Sequence, residues 1–158
     1  MWLIIPFCIL LIFSSVLLFG APYLPTLKKQ RTLALDLLDL KPGQTLLELG
    51  CGDGRMLAEA AKRGINSVGY EINPVLFIVA KIVNLHHRHQ VKIKFRNFWK
   101  ADWPIADGIY VFSLKKYMAD LDKKIIKYNK GVKFVSYAFC IPGKKPKKEQ
   151  GGLFLYIY

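Results

Sequence analysis

Residues 1–20 contain no charged side chain. An apolar run of this kind is long enough to cross a bilayer, which takes about 20 residues as a helix. Downstream the pattern changes. Thr45–Leu49, Asn66–Glu71, Gly108–Phe112 and 132–137 read as short strands, Val91–Phe95 alternates cleanly as another, and helical periodicities lie between them. Leu27, Arg31, Ala34, Leu35 and Leu38 share one helical face, which Leu33, Leu37 and Leu40 widen; Lys41, Pro42 and Gly43 end it. Residues 56–63 are strong helix formers stopped by Gly64. Asn73 and Pro74 suit the N-cap and first turn of a helix running through Val79, Ile82 and Val83 towards His87. A further helix is predicted from Met118 to Tyr128, and 153–158 reads as a last strand. Strand and helix alternate from Thr45 to Tyr137, which predicts an α/β fold with a doubly wound, mostly parallel sheet and right-handed crossovers. Between Pro142 and Gly151 there is little room for another strand.

The chain therefore divides into a transmembrane anchor at 1–20, a Pro-rich joint at 21–26 and one domain at 27–158. Thr26 is placed to cap the first helix of that domain. No Lys or Arg precedes the apolar run, whereas Lys28, Lys29 and Arg31 follow it. A cleaved signal peptide normally begins with a basic stretch, so an uncleaved single-pass anchor is expected. The positive-inside rule then places the membrane protein's C-terminal domain in the cytoplasm.

Net charge is +13. A charge of that size favours anionic partners. From Lys115 to Lys148 the chain has eleven lysines against Asp120 and Asp122. This stretch has no aromatic interleaving and no nucleic-acid motif, so nucleic acid is not the expected partner. Cys8, Cys51 and Cys140 lack metal-ligand or redox spacing. Of His86, His87 and His89 only the first and last share a helical face, so a solvated helix end is expected rather than a metal site. Trp99 and Trp103 could stack on a substrate, but read better as covers for the sheet edge.

The candidate chemistry lies at Glu48-Leu49-Gly50-Cys51-Gly52-Asp53-Gly54. Gly50 and Gly52 let a ligand approach the backbone, and Gly54 lets the next helix start tight against the strand. The spacing is GxGxG after an acidic residue. It differs from the dinucleotide GxGxxG, and without Gly-Lys-Ser/Thr it is no P-loop. Glu71, at the end of the second strand, can accept hydrogen bonds from both hydroxyls of a ribose and would repel a phosphorylated one. Cys51 has a steric role inside the loop.

This loop, followed by Gly69-Tyr70-Glu71-Ile72-Asn73-Pro74, resembles the Rossmann-like class I S-adenosylmethionine-dependent methyltransferases. Pro22–Thr26, Gly50–Arg55, Ala60–Gly64, Asn97–Lys100 and Gly131–Ser136 sharpen the likeness. They resemble the small protein-lysine methyltransferases of the ATP synthase c-subunit and adenine nucleotide translocase family, and a broad-specificity archaeal lysine methyltransferase. The resemblance spans roughly Gly20 to Pro142. It implies S-adenosylmethionine as cofactor, no metal, and a protein substrate presenting a lysine. It implies that Glu48 orients the loop near the methionyl amino group. Gly50, Cys51, Gly52, Asp53 and Gly54 form the loop around the methionine moiety. Glu71 and Ile72 hold the ribose, Asn97 and Phe98 flank the adenine, and Ser113 lies near the transferred methyl. Pro22, Tyr23, Pro25 and Thr26 form a lid on the substrate side. Many relatives carry Asp at the position of Asn97. No residue stands out as a general base; Tyr23, Tyr110 and Tyr117 are conceivable orienting groups.

Two other readings stay open. One is a methyltransferase for a small molecule, lipid or nucleic acid, although Ser113-Leu114-Lys115-Lys116 lacks the Asn/Asp-Pro-Pro-aromatic motif of nucleobase amino methylation. The other is a non-catalytic, membrane-tethered scaffold that retains the fold.

Overall fold

The computed structural model describes residues 24–128 and 131–158. The expected anchor at 1–20, and Pro22 and Tyr23 of the joint, lie outside the described residues. Among the described residues no helix is long and apolar enough to cross a membrane.

The helices are α1 (Lys28–Leu38), α2 (Arg55–Lys62), α3 (Pro74–Val83) and α4 (Met118–Tyr128). The strands are β1 (Thr45–Leu49), β2 (Asn66–Glu71), β3 (Val91–Phe95), β4 (Gly108–Phe112), β5 (Lys133–Tyr137), β6 (Lys148–Gln150) and β7 (Leu153–Ile157). They form one sheet in the order β3-β2-β1-β4-β5-β7-β6. The first five strands are parallel, and β7 runs antiparallel to both β5 and β6. Contrary to the expectation of too little room, residues 148–150 do form a strand. Gly151 and Gly152, at φ 58° and 77°, make the tight turn that folds it back onto β7.

Both faces of the sheet are covered. On one face Leu35 and Leu38 of α1 and Met56 and Ala60 of α2 pack on Leu46, Tyr110 and Val135. On the other face Met118, Leu121 and Ile125 of α4 meet Ile109, Val111 and Phe134. Adjacent β4 residues thus face opposite ways, as the strand period requires. A third cluster joins Leu57 and Ala61 of α2 to Ala80 of α3 and Val91 and Ile93 of β3. Gly69 makes it possible, because a Cβ there would lie 2.6 Å from Leu57 Cδ1 and 2.8 Å from Cys51 Sγ.

Local signals decide the ends of elements. Asn73 caps α3, its Oδ1 accepting from the N–H groups of Val75 and Leu76. At α1 the expected cap is absent. Leu27 occupies the N-cap position without a side-chain cap, and Thr26 Oγ1 instead meets Tyr110 Oη at 3.0 Å. A tertiary partner on β4 has outcompeted the local one. The helix closes with Asp39 in the left-handed region, φ 44°, donating its N–H to Leu35 O. The histidines fall outside α3, in a 3₁₀ turn at Leu85–His87 and the residues after it.

Candidate functional site

Strand order reverses between β1 and β4, whose C-terminal ends lie side by side. In open α/β sheets the crevice at such a switch point is where ligands bind. Here it is a cleft of about 490 Å³. Glu48, Gly50, Cys51, Gly52 and Asp53 line it from the loop, Glu71 and Ile72 from the end of β2, and Asn97, Phe98 and Ser113 from the turns after β3 and β4. Pro25 and Thr26 border it from the joint. Of the residues expected at the site, Gly54 is the described exception. It sits behind the cleft with φ 75°, where a Cβ would come within 2.5 Å of Asn84 Nδ2 and 3.0 Å of Ala80 Cβ. Its smallness serves the packing of α2 on α3, and Asn84 Nδ2 donates to its carbonyl at 3.0 Å.

The acidic end of the cleft is built from three carboxylates. Glu71 Oε1 accepts from the N–H groups of Ile72 and Asn73 at 2.9 and 2.7 Å, and Oε2 accepts from Gly52 N–H at 2.8 Å. Glu71 thereby ties the glycine loop to the end of β2. A carboxylate offers about four acceptor positions. The backbone takes three of them in this structure, two on Oε1 and one on Oε2. Burial pushes its carboxyl above the ordinary range, and the three backbone donors hold it back.

Glu48 is buried, and its Oε2 has no hydrogen-bond partner among the described residues. Desolvation, then the charges of Asp53 and Glu71, drive its carboxyl well above the usual range, opposed by Arg31. Asp53 is held by Arg55, whose Nε donates to Oδ2 at 2.6 Å. Cys51 is buried, its Sγ fitted against Gly69, and burial pushes its thiol up.

The other end is aromatic. Phe98, Trp99, Tyr110, Phe112, Tyr117 and Phe139 line it. Trp99 stacks against Phe98 and Tyr117, with centroids 4.9 and 5.8 Å apart. The expectation that Trp99 covers the sheet edge is thus corrected. Trp103 is buried and donates through Nε1 to Phe98 O. Asn97 Oδ1 accepts from Trp99 N–H at 2.9 Å, closing a turn that aims Phe98 and Trp99 into the cleft. Burial pushes the Tyr110 hydroxyl up, and Tyr110 holds Thr26 across the mouth.

Two supporting cations had no motif to announce them. Arg31 donates to Thr26 O at 2.6 Å and to Glu59 Oε2 at 3.2 Å, bracing the joint from α1. The hint was a charge inside an otherwise apolar stripe. Lys124 of α4 donates to the carbonyls of Phe98, Trp99 and Ala101 at 2.9, 2.6 and 3.2 Å, gathering the turn after β3. Nothing in its local sequence distinguishes it from neighbouring lysines. Among the described residues no cluster of three His, Cys, Asp or Glu side chains is gathered as for a metal ion.

A seven-stranded sheet of this order, with an acidic glycine loop after β1 and a buried acid ending β2, defines a class I S-adenosylmethionine-dependent methyltransferase fold. Sequence comparison gives the family. The profile of the ANTKMT methyltransferase domain matches residues 48–148, and the chain belongs to that family. It is 32% identical over 132 residues to a protein-lysine N-methyltransferase of Saccharolobus islandicus, covering 80% of this chain and 82% of that protein. It is 30% identical over 106 residues to the human lysine N-methyltransferase of the ATP synthase c-subunit, covering 66% of this chain and 45% of that one. The chain thus spans about half the length of its human, mouse and Xenopus laevis relatives. An RNA methyltransferase from Salinibacter ruber, solved with S-adenosyl-L-homocysteine, superposes with a TM-score of 0.78 at 25% identity, covering 85% of this chain and 92% of that one.

Proposed function

We propose that this protein transfers methyl groups from S-adenosylmethionine to a lysine side chain of a protein at a membrane surface. The observation that carries the reading is the buried oxygen of Glu48 beside the glycine loop, which has no partner among the described residues. A buried carboxylate left without a partner is costly, and the α-ammonium group of the cofactor is a complement for it. Glu71 Oε2 keeps one acceptor position for a ribose hydroxyl. Phe98 and Ile72 supply apolar surface on the adenine side, and Asn97 Nδ2 a donor. Ser113 follows β4, where the acceptor and the methyl group would meet.

S-adenosylmethionine, when bound, supplies an activated methyl group on a sulfonium sulfur. The residues of the chain then have to align and desolvate rather than attack. The wall formed by Trp99, Tyr117 and Phe112 suits the alkyl chain of a lysine, and its ring faces attract a cationic head. Burial beside the cationic sulfonium then lowers the acceptor's pKa and favours the neutral amine. Thr26, held by Tyr110 and Arg31, closes the mouth against water.

The relatives named as protein-lysine methyltransferases support the protein acceptor. The uncharged run at 1–20 supports an anchor close to the cleft, because Leu24 and Pro25 already line it. A nucleic-acid acceptor is the rival reading, favoured by the net charge of +13 and the Salinibacter ruber likeness. The full chain, incubated with tritiated S-adenosylmethionine and host membranes, should label protease-sensitive material with mass increments on lysine. Label confined to RNA or to extractable lipid would replace the acceptor, and failure to bind S-adenosylhomocysteine would end the proposal.

A further inference from the structure

The helix α3, Pro-Val-Leu-Phe-Ile-Val-Ala-Lys-Ile-Val, is apolar almost all round, yet only Ala80 is fully buried. It has one side to give to the protein, which rests on Gly54 and β3. Its outer side, Val75, Ile78, Val79 and Ile82, follows helical spacing and stays in solvent, with Ile78 57% and Ile82 67% exposed. Leu85, 60% exposed, continues the stripe into the 3₁₀ turn. A contiguous exposed apolar face of this kind marks an interaction surface.

Charge identifies what it meets. Between Glu71 and Asp102 the chain has no Asp or Glu. At the C-terminal end of α3, Lys81, Arg88 and Lys92 converge with Leu85 on a small cleft of about 330 Å³ floored by Val91 and Ile93. None of these three cations forms an ion pair among the described residues. An apolar stripe beside unpaired cations matches a bilayer interface, where acyl chains take the stripe and phosphates the cations. The uncharged run at 1–20 could cover the stripe but would leave the cations unmatched. A second copy packed symmetrically would set the same cations against each other.

We infer that the outer face of α3 and the Lys81–Arg88–Lys92 cleft form an interfacial membrane-binding surface for anionic phospholipid, separate from any anchor at 1–20. Ile72, just before α3, and Leu76, in its first turn, also line the large cleft. Docking this face therefore brings the cleft mouth to the headgroup layer. The inference stands independently of the methyl-transfer proposal.

The test uses the full chain reconstituted into phosphatidylcholine vesicles, with or without phosphatidylglycerol. An environment-sensitive fluorophore is placed at Ile82→Cys in a Cys8→Ser, Cys140→Ser background, in which Cys51 is buried. A control label at Lys123→Cys sits on α4, across the sheet. Nitroxide lipids labelled near the headgroup should quench position 82 and spare position 123, and phosphatidylglycerol should strengthen the effect. Lys81→Gln, Arg88→Gln and Lys92→Gln together should lower the docked-to-undocked ratio about a hundredfold, at roughly fivefold per charge. Unchanged S-adenosylhomocysteine binding by this variant would establish that it folds. Equal quenching at both positions, or quenching at 82 indifferent to lipid charge and to the triple variant, overturns the inference. So does cross-linking of position 82 to a second copy or to residues 1–20 in place of lipid quenching.

Discussion

Replacing Glu48 by Gln should move stability and cofactor binding in opposite directions. In the free protein Glu48 is buried, with one oxygen unpartnered among the described residues, beside the carboxylates of Asp53 and Glu71. Its raised pKa means that the folded chain holds this proton more tightly than the unfolded chain. The unfolded carboxyl ionises near its ordinary 4.5. This group's penalty on folding is therefore absent below that pH, grows as pH rises, and levels off once the folded carboxyl has also ionised. Gln keeps the shape and removes the charge, so Glu48→Gln should raise the stability of the free protein at neutral pH by on the order of 1 kcal/mol. Binding reverses the sign. A charge-assisted hydrogen bond from the cofactor's ammonium to Glu48 contributes about 1.5–3 kcal/mol, which is roughly ten- to a hundredfold in Kd. Because the ligand favours the ionised carboxyl, binding should release a proton, and affinity should rise with pH by up to about tenfold per unit until Glu48 is ionised in the free protein. Titration calorimetry with S-adenosylhomocysteine in buffers of different ionisation enthalpy reads the proton directly, and urea unfolding reads stability. If Glu48→Gln binds as tightly as the parent chain, the pairing of Glu48 with the cofactor's ammonium is wrong.

Gly54→Ala should destabilise the domain by roughly 2–3 kcal/mol in urea, since it joins a left-handed φ of 75° to a 2.5 Å approach to Asn84 Nδ2. A change below half that would show that α2 and α3 can separate freely. Lys124→Met should cost about 1–3 kcal/mol by removing one charged donor from three carbonyls, and should weaken S-adenosylhomocysteine binding through the displaced Phe98 and Trp99. Unchanged binding together with lost stability would confine Lys124 to the fold. Tyr110→Phe releases Thr26, so the Michaelis constant for S-adenosylmethionine should rise severalfold, an effect of about 1 kcal/mol. A lower turnover number at constant Michaelis constant would instead place Tyr110 beside the acceptor.

The glycine loop and Glu71 were legible because their function depends on local backbone form: a tight turn after a strand and an acid ending the next one. The inner strands between Thr45 and Tyr137 were legible for the same reason, since buried parallel strands are short runs rich in apolar residues, and the edge strand β3 by its alternation of apolar residues with lysine. Three features were illegible. Thr26 fits the sequence rule for a helix cap, yet its partner lies on β4, 84 residues away. Strand β6, exposed and only three residues long, carries no apolar signal and exists through its pairing with β7. Trp99 reads as a cover for the sheet edge until Asn97 turns it inward. The sequence alone determined the fold class, the Gly50–Gly54 loop and the acids that flank it, because propensity, period and turn chemistry act between near neighbours. Tertiary structure alone decided that one oxygen of Glu48 finds no partner among the described residues, that Glu71 spends three acceptors on backbone, and that Lys124 and Arg31 brace the cleft. Each of those outcomes depends on which distant groups arrive within hydrogen-bond reach and which are kept from water.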